Sequence, residues 1–213
     1  MIAHLEANKL PYLVWGRIES TEREIISWIE SRSVQVGFLL WWSEILSHNL
    51  LSCPKYGFIN LHPSLLPFGR GKHPNFWSIK DGEPFGVSIH LVDKLIDHGP
   101  VLVQKKVEVS WLDNGKTTYE KSITEIASLF KENYANLVEI VKSQTYKVQD
   151  FEAGSFHNSK QLDEASVIEL DSNYTARDLL NLIRARTFHG RPSCTFIEDN
   201  RRYSIIIKIE ELK

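Results

Sequence analysis

Two short apolar runs constrain the fold of this chain more than any other feature of its sequence. The first covers residues 36–42 and the second covers residues 57–61. Uninterrupted apolar runs of this length are typical of strands in a parallel sheet, because helices cover both faces of such a sheet. Segments that we predict to be helical lie around these runs, at about residues 20–32, 44–51 and 118–143. The alternation predicts an α/β fold with a mostly parallel sheet.

The character of the chain changes near residue 150. Residues 86–92 and 101–109 are predicted strands, and the long helix after them closes a first domain. Beyond a polar, irregular stretch, Thr175 caps a predicted helix, and the final residues have the pattern of a β-hairpin. We therefore divide the chain into residues 1–150 and a small C-terminal subdomain of helix and hairpin, residues 151–213.

Composition excludes several classes of function. The formal net charge is −2 and the longest basic clusters are pairs, so the chain lacks the basic track of a nucleic-acid binder. Two cysteines without a CxxC motif indicate a reducing compartment. No signal peptide or long uncharged apolar run is present, so we expect a cytoplasmic protein without membrane contact. We expect no metal cofactor.

Polar residues follow two of the predicted strands. Asn60 and His62 close the second apolar run, two residues apart, so an extended backbone directs both side chains to one face. Asp97 lies in the loop after the 86–92 strand. Ligands of open α/β sheets bind beyond the carboxyl ends of strands. An amide can stabilise an oxyanion, an imidazole can move a proton, and a carboxylate can orient the imidazole. No GxSxG or similar nucleophile motif is present, which favours direct attack by a substrate group.

The sequence around these residues resembles the folate-dependent formyltransferase family. The resemblance covers about residues 36–110 and rests on FINLHPSLLP at 58–67, GVSIH at 86–90 and DHGP at 97–100. It implies a Rossmann-like formyltransferase fold and N10-formyltetrahydrofolate as cosubstrate. It also implies that Asn60 and His62 polarise the formyl group and stabilise the tetrahedral intermediate. Asp97 would then tune His62 and relay protons.

The resemblance further assigns two groups of binding residues. The family holds the pterin between the loop after its apolar strand and the loop that carries the aspartate, which maps to Trp41, Trp42, Ile45, Asp93, Leu95 and Ile96. The proline- and glycine-rich stretch 63–82 is predicted to be a long functional loop. Its residues facing the sugar and diphosphate of an acceptor would be Arg70, Lys72, His73, Asn75 and Trp77.

The acceptor amine follows from comparing groups within the family. The purine-pathway enzymes have a glycine-rich phosphate loop near the N-terminus, and residues 1–37 contain nothing like it. The methionyl-tRNA enzymes have a larger, more basic C-terminal domain. Residues 174–188 resemble the C-terminal signature of sugar N-formyltransferases, which act on nucleotide-linked amino deoxysugars. We therefore expect a homodimeric enzyme acting on a substrate such as dTDP-4-amino-4,6-dideoxyglucose, in O-antigen or surface polysaccharide synthesis.

One departure from the family keeps other functions open. Family members begin with a further strand–helix unit, which this chain lacks in recognisable form, so we expect exposed apolar surface and an unpaired sheet edge. The alternatives are a non-catalytic module that binds a nucleotide-sugar, a formyl-folate hydrolase, and a formyltransferase acting on methionyl-tRNA or another small amine.

Overall fold

A four-stranded sheet with a long helix across it forms the centre of the protein. The structure is a computed structural model that describes residues 2–13, 22–42 and 44–212. The helices are α1 (Ile2–Ala7), α2 (Glu22–Ser31), α3 (His48–Leu51), α4 (Pro74–Lys80), α5 (Gly115–Ser143), α6 (Gln161–Glu164) and α7 (Ala176–Arg186). The strands are β1 (Gly37–Leu39), β2 (Phe58–His62), β3 (Arg70–Gly71), β4 (Gly86–Leu91), β5 (Val101–Lys106), β6 (Phe156–His157), β7 (Cys194–Glu198) and β8 (Arg201–Ile205).

The central sheet has the strand order β1-β2-β4-β5. The predicted α/β fold is confirmed, but the described strands form a mixed sheet. β1 and β2 are parallel, whereas the β2–β4 and β4–β5 pairs are antiparallel. The connection between β4 and β5 covers only residues 92–100, and it is too short for the crossover that a parallel pair needs. Asp97 lies in this connection, and its carboxylate is 3.5 Å from the ring of His62 at the end of β2.

Helix α5 covers one face of this sheet. Its buried side chains Ile126, Phe130 and Leu137 pack in one cluster with Ile59 of β2 and Ile89 of β4. The helix begins three residues before the predicted start, because a capping box precedes it. The Asn114 side chain accepts hydrogen bonds from the backbone amides of the first turn, and the side chain of Thr117 accepts from the Asn114 amide.

The prediction of a continuous loop over residues 63–82 is wrong in its second half. Strand β3 and helix α4 lie in this stretch. Pro74 occupies the first turn of α4, where its missing N–H costs no hydrogen bond. The helix buries Phe76 and Trp77 in a cluster with Ile183 and Cys194 of the C-terminal elements. Pro74 therefore marks the start of a helix here. One core joins residues on both sides of position 150, so the division of the chain there stays a prediction.

The predicted C-terminal helix and hairpin are both present. Thr175 caps α7, since its hydroxyl oxygen accepts a hydrogen bond from the Asp178 amide at 3.1 Å. Strands β7 and β8 pair antiparallel around Asp199 and Asn200, whose φ angles are 47° and 58°. Two consecutive residues with positive φ are typical of a type I′ hairpin turn.

An apolar groove runs beside β1, which among the described strands pairs only with β2. This β1 groove has a volume of about 1190 Å³ and is lined mainly by apolar side chains, among them Leu10, Leu13, Ile25, Phe38 and Phe130. The expected unpaired edge and exposed apolar surface stay predictions, because residues 14–21 lie outside the described residues. The predicted cap of α2 at Thr21 lies outside the described residues. No helix in the described ranges is long and apolar enough to span a membrane.

Candidate active site

The three residues predicted to carry the chemistry line one cavity of about 850 Å³. Asn60 and His62 belong to the last three residues of β2, and Asp97 lies in the β4–β5 loop. His62 is 5% exposed, so its ring is almost fully removed from bulk water. The end of β2 and the neighbouring loop thus bring an amide, an imidazole and a carboxylate to one wall of the cavity.

Both ring nitrogens of His62 face acceptor groups. Nε2 lies 2.9 Å from the backbone oxygen of Gly69, and because a carbonyl only accepts, Nε2 carries a proton and donates it. Nδ1 lies 3.5 Å from Oδ2 of Asp97, a distance longer than a direct hydrogen bond. Burial lowers the pKa of His62, and the Asp97 carboxylate and the Gly69 carbonyl oppose this shift. The resting ring is therefore neutral near pH 7, with a carboxylate beside the nitrogen that takes up a proton.

Asp97 is held ionised by the groups around it. Burial alone would raise its pKa, but His62, His90 and the Gly71 amide hold the pKa well below its usual range. The Gly71 amide donates a hydrogen bond of 2.9 Å to Oδ2. The backbone of Asp97 has a φ of 49°, in the left-handed region that residues other than glycine adopt only with strain. A charged, strained residue at a cavity wall is typical of functional sites.

His90 is a fourth member of the site that our sequence reasoning missed. It is 1% exposed and lies opposite Asn60 in the β2–β4 pair. Its Nε2 is 3.3 Å from Nδ2 of Asn60 and 3.5 Å from Oδ1 of Asp97. A hydrogen bond from Nδ1 to the Leu91 carbonyl at 2.7 Å leaves Nε2 of a neutral ring free to accept from Asn60. The signal available in the sequence was a histidine inside an otherwise buried strand.

One end of the cavity is apolar. All six residues assigned to the pterin line it, namely Trp41, Trp42, Ile45, Asp93, Leu95 and Ile96. Four of these side chains are large, apolar and exposed by 45% or more, namely Trp41, Ile45, Leu95 and Ile96. Apolar side chains that remain exposed at a cavity wall are available to a flat, apolar ligand.

The acceptor-side assignments divide into two groups. Lys72, His73 and Asn75 line the cavity, whereas Arg70 and Trp77 are not among the lining residues. The guanidinium of Arg70 packs over the ring of Phe151, with 4.9 Å between them. Trp77 is 4% exposed and belongs to the core beneath α4. Both departures follow from the β3 strand and α4 helix, which turn these side chains away from the cavity.

Two arginines from the C-terminal elements complete the acceptor side, and sequence reasoning missed both. Arg186 and Arg191 line the cavity together with Lys72 and His73. Burial lowers the pKa of His73, and Arg186, Lys72 and Arg191 lower it further, so these cations surround the ring. The Nη2 atom of Arg186 binds Asp163 at 2.7 Å, and its buried Nε has no partner among the described residues. The result is a positively charged end suited to an anionic group. In the described ranges, no cluster of histidine, cysteine, aspartate or glutamate could hold a metal ion.

Comparison with protein families identifies both parts of the chain. Residues 3–133 match the family model described as formyl transferase. Residues 161–211 match the model of the N-formyltransferase dimerization C-terminal domain. The first match alone covers more than half of the chain.

Three curated relatives are similar over much of this chain. A bifunctional polymyxin resistance protein, ArnA, from Wigglesworthia glossinidia brevipalpis is 33% identical over 76% of this chain and 24% of the relative. A methionyl-tRNA formyltransferase from Thermodesulfovibrio yellowstonii is 30% identical over 87% of this chain and 58% of the relative. A dTDP-4-amino-4,6-dideoxyglucose formyltransferase from Mycobacterium tuberculosis is 26% identical over 68% and 60%. The chain therefore spans less than two thirds of the length of each.

Solved structures share the fold over nearly the whole chain. A sugar N-formyltransferase from Shewanella is 25% identical, with a TM-score of 0.77 over 99% of this chain and 82% of its own. A 4-N formyltransferase from Francisella tularensis has the same TM-score and coverage at 21% identity, which supports the fold alone. Because the family model matches more than half of this chain, the chain belongs to the formyl transferase family.

Proposed function

We propose that this protein transfers a formyl group from N10-formyltetrahydrofolate to the amine of a nucleotide-linked amino deoxysugar. The observation that carries the proposal is the layout of one cavity. Asn60, His62, His90 and Asp97 line the same cavity as a set of exposed apolar side chains and as the cations around His73. A two-substrate transfer between a flat heterocycle and an anionic acceptor needs these three kinds of group in one cavity.

The apolar end suits the folate. Flat pterin rings bind best where aromatic and aliphatic side chains bury them, and Trp41, Leu95 and Ile96 offer such surface. Solved formyltransferases of similar fold are complexes with tetrahydrofolate or with folinic acid. These relatives support a folate cosubstrate for the present chain.

The positively charged end suits a diphosphate. Arg186 has an unpartnered buried Nε, and Lys72 and Arg191 lie around the same part of the cavity. Arginine recognises phosphate oxygens through several N–H donors at once. Relatives of similar fold were solved with a UDP-linked or a dTDP-linked sugar. An acceptor with both a diphosphate and an amine would span the distance from this end to Asn60.

The chemistry is direct acyl transfer. The nitrogen of the acceptor attacks the formyl carbon, the carbonyl oxygen becomes an oxyanion, and collapse breaks the bond from carbon to folate N10. The proton lost by the amine replaces the formyl group on N10, so the products are the formamide and tetrahydrofolate. Asn60 and His62 stabilise the oxyanion, and Asp97 favours the protonated imidazole while the charge develops. The buried Oδ1 of Asn60 has no partner among the described residues, and an amine N–H would satisfy it.

The experiment that tests the function incubates the protein with N10-formyltetrahydrofolate and a panel of dTDP-, GDP- and UDP-linked amino sugars. Mass spectrometry then detects the formyl mass gain. We expect gain on one sugar, and dTDP-4-amino-4,6-dideoxyglucose is our first candidate because a curated relative is named for it. Release of tetrahydrofolate without an amino sugar would instead support a hydrolase. Folate binding without any transfer would support a binding module.

A variant of Arg186 tests the assignment of the two ends. We expect Arg186→Met to raise the KM for the nucleotide-sugar by about 10- to 100-fold, because charge-assisted contacts to an anion are lost. The KM for the folate should change little. Arg177→Met is the matched control, because Arg177 packs on the ring of Trp111 and is not among the cavity residues. An equal effect on both substrates would contradict the proposed orientation.

A second candidate acceptor is methionyl-tRNA, because a methionyl-tRNA formyltransferase matches this chain over 87% of its length. The panel therefore includes initiator methionyl-tRNA. The net charge of −2 favours the small acceptor, since tRNA binding requires many phosphate contacts. Transfer to the tRNA alone would replace the sugar proposal.

We further propose a homodimer formed through the C-terminal elements. The matched C-terminal model is described as a dimerization domain, and the hairpin exposes Ile197, Tyr203 and Ile206 by 42% or more. Apolar patches of this kind mark protein contacts. Sedimentation analysis of the wild-type protein and of Tyr203→Arg tests this, with a shift to monomer expected in the variant. The cytoplasmic location stays a prediction.

A further inference from the structure

The segment that follows helix α5, residues 147–157, contacts both loops of the site. Its first residue pairs with Val101 at the start of β5, through backbone hydrogen bonds of 2.8 and 2.9 Å. Its last part runs beside the 66–72 loop, where Ser155 accepts from the Gly69 amide at 2.8 Å and β6 pairs with β3. This connecting segment therefore borders the loop of Gly69, which binds His62, as well as the loop of Asp97.

Gln149 is the residue of the connecting segment that reaches Asp97. It is 7% exposed, and its Nε2 donates hydrogen bonds to the backbone oxygens of Asp97 at 3.0 Å and Gly99 at 2.7 Å. Both acceptors are carbonyls, so only the NH2 end of the amide can face them. The Oε1 atom is buried without a partner in the described part of the chain. A buried amide with one unsatisfied atom costs stability, and both hydrogen bonds that this amide makes go to the Asp97 loop.

The backbone that Gln149 holds is strained. Asp97 has a φ of 49°, and Gly99 packs so closely on the Leu91 carbonyl that a Cβ atom would collide with it. A strained conformation persists only when surrounding contacts determine it. Phe151 of the same segment adds a second contact, since its ring stacks on His98 with centroids 3.8 Å apart. The carboxylate direction of Asp97 thus depends on contacts from a segment that is remote in sequence.

We propose that Gln149 is a positioning residue that fixes the backbone of Asp97 so that its carboxylate faces His62 and His90. The inference deepens the proposed formyl transfer and rests on it. Without the two hydrogen bonds, the loop relaxes from the left-handed conformation and the carboxylate moves away from both imidazoles. An error of about 1 Å in such a group costs on the order of 100-fold in rate.

Two variants test this role. Gln149→Met keeps the shape of the side chain but removes the donor, and Gln149→Glu adds a charge facing two carbonyls. We expect kcat to fall about 10- to 100-fold in Gln149→Met, with the KM for the acceptor changed by less than about threefold, and a larger loss in Gln149→Glu. Leu137→Ala is the control, because it destabilises the core under α5 without a contact to either loop. Equal kcat values for the wild-type protein and a folded Gln149→Met would overturn the proposal.

The second readout is the titration of His62, followed by NMR and assigned with His62→Gln. The charged or titratable groups around this ring are Asp97, His90 and Lys72. Because the Asp97 carboxylate raises the pKa of His62, its displacement in Gln149→Met should lower that pKa relative to the wild-type protein. An unchanged pKa would mean that Gln149 only stabilises the fold. The titration needs no turnover. If the protein transferred no formyl group, the proposed function would be refuted, and the titration would still show whether Gln149 positions Asp97.

Discussion

The cavity at the end of β2 and the β1 groove differ in the side chains that line them. At the cavity, Asn60, His62, His90 and Asp97 lie within 3.5 Å of one another in a chain of polar contacts. Beside β1, the groove is apolar and has a volume of about 1190 Å³. Removing a partner from the polar cluster leaves a buried charge or donor unsatisfied, whereas removing a methyl group from an exposed groove residue such as Leu13 mainly changes exposed surface. We therefore expect kcat to depend on the polar cluster, and the binding of apolar dyes to depend on the β1 groove.

The largest effect should come from the polar cluster. We expect His62→Ala and Asp97→Ala each to lower kcat by about 100- to 10,000-fold, because proton transfer and oxyanion stabilisation are lost together. Binding of the nucleotide-sugar, measured by calorimetry, should remain close to wild type. The double variant should be little worse than either single variant, since residues that act as a unit are not additive. Near-normal turnover in both variants would refute the mechanism.

The next largest effect should come from the core under α5, where we expect a loss of stability without a loss of kcat. Leu137 is fully buried under α5, so Leu137→Ala should lower the free energy of unfolding by about 2–5 kcal/mol through lost contacts and a cavity. The kcat per folded molecule should stay unchanged at a temperature where the variant is folded. Denaturant unfolding and turnover, measured on the same sample, check the two halves of this expectation. A large loss of kcat would mean that the core sets the geometry of the polar cluster.

The sequence predicted the strands and helices whose apolar residues follow a regular spacing. The prediction failed where one residue type is common in two kinds of structure. The positions of β2, β4, α5 and the C-terminal hairpin were predictable from apolar spacing and caps. Pro74 read as a loop residue, although it begins α4, because proline favours both turns and first helical turns. The antiparallel pairing of β4 with β2 and β5 was not predicted, because the direction of a strand depends on how the chain returns to the sheet, and apolar spacing does not record that.

The site was predictable where a motif carried it. Asn60, His62 and Asp97, which line one cavity, were predicted as a group because they lie in recognisable sequence patterns at strand ends. Arg186 is separated from Lys72 by most of the chain, and only the packing of α7 on α4 brings both to one cavity. Gln149 lies 52 residues from Asp97 in sequence. Long-range contacts of this kind leave no local period or spacing to detect.

Acid should weaken the fold through three histidines of the cavity. Burial lowers the pKa of His62, His73 and His157 below their ordinary value of 6.5. The unfolded chain then binds more protons than the folded chain as the pH falls below that value, so protonation favours unfolding. Asp97 has a lowered pKa as well, but its contribution is lost only below about pH 4, the range of an unfolded carboxyl group.

The measurement is the midpoint of thermal unfolding between pH 7.5 and pH 5, at about 0.15 M salt to screen surface charges. We expect the midpoint to fall on acidification in the wild-type protein and to fall less in His73→Gln, which lacks one of the three groups. His48, which the structure leaves outside the cavity, provides the control variant His48→Gln. A midpoint that rises as the pH falls would contradict the sign of these shifts.

The smallest effect should come from the β1 groove. Leu13 is 42% exposed and lines the groove, so Leu13→Gln should change the free energy of unfolding by less than about 0.5 kcal/mol. The variant should bind less of a dye that fluoresces on apolar surface, because exposed apolar area is what the dye recognises. Leu95→Gln is the matched change in the cavity, where the side chain is 60% exposed. It should weaken folate binding and leave most dye binding in place. If Leu13→Gln instead destabilised the protein by several kcal/mol, the side chain would be buried in solution, and the groove would be filled by a part of the protein that packs on it.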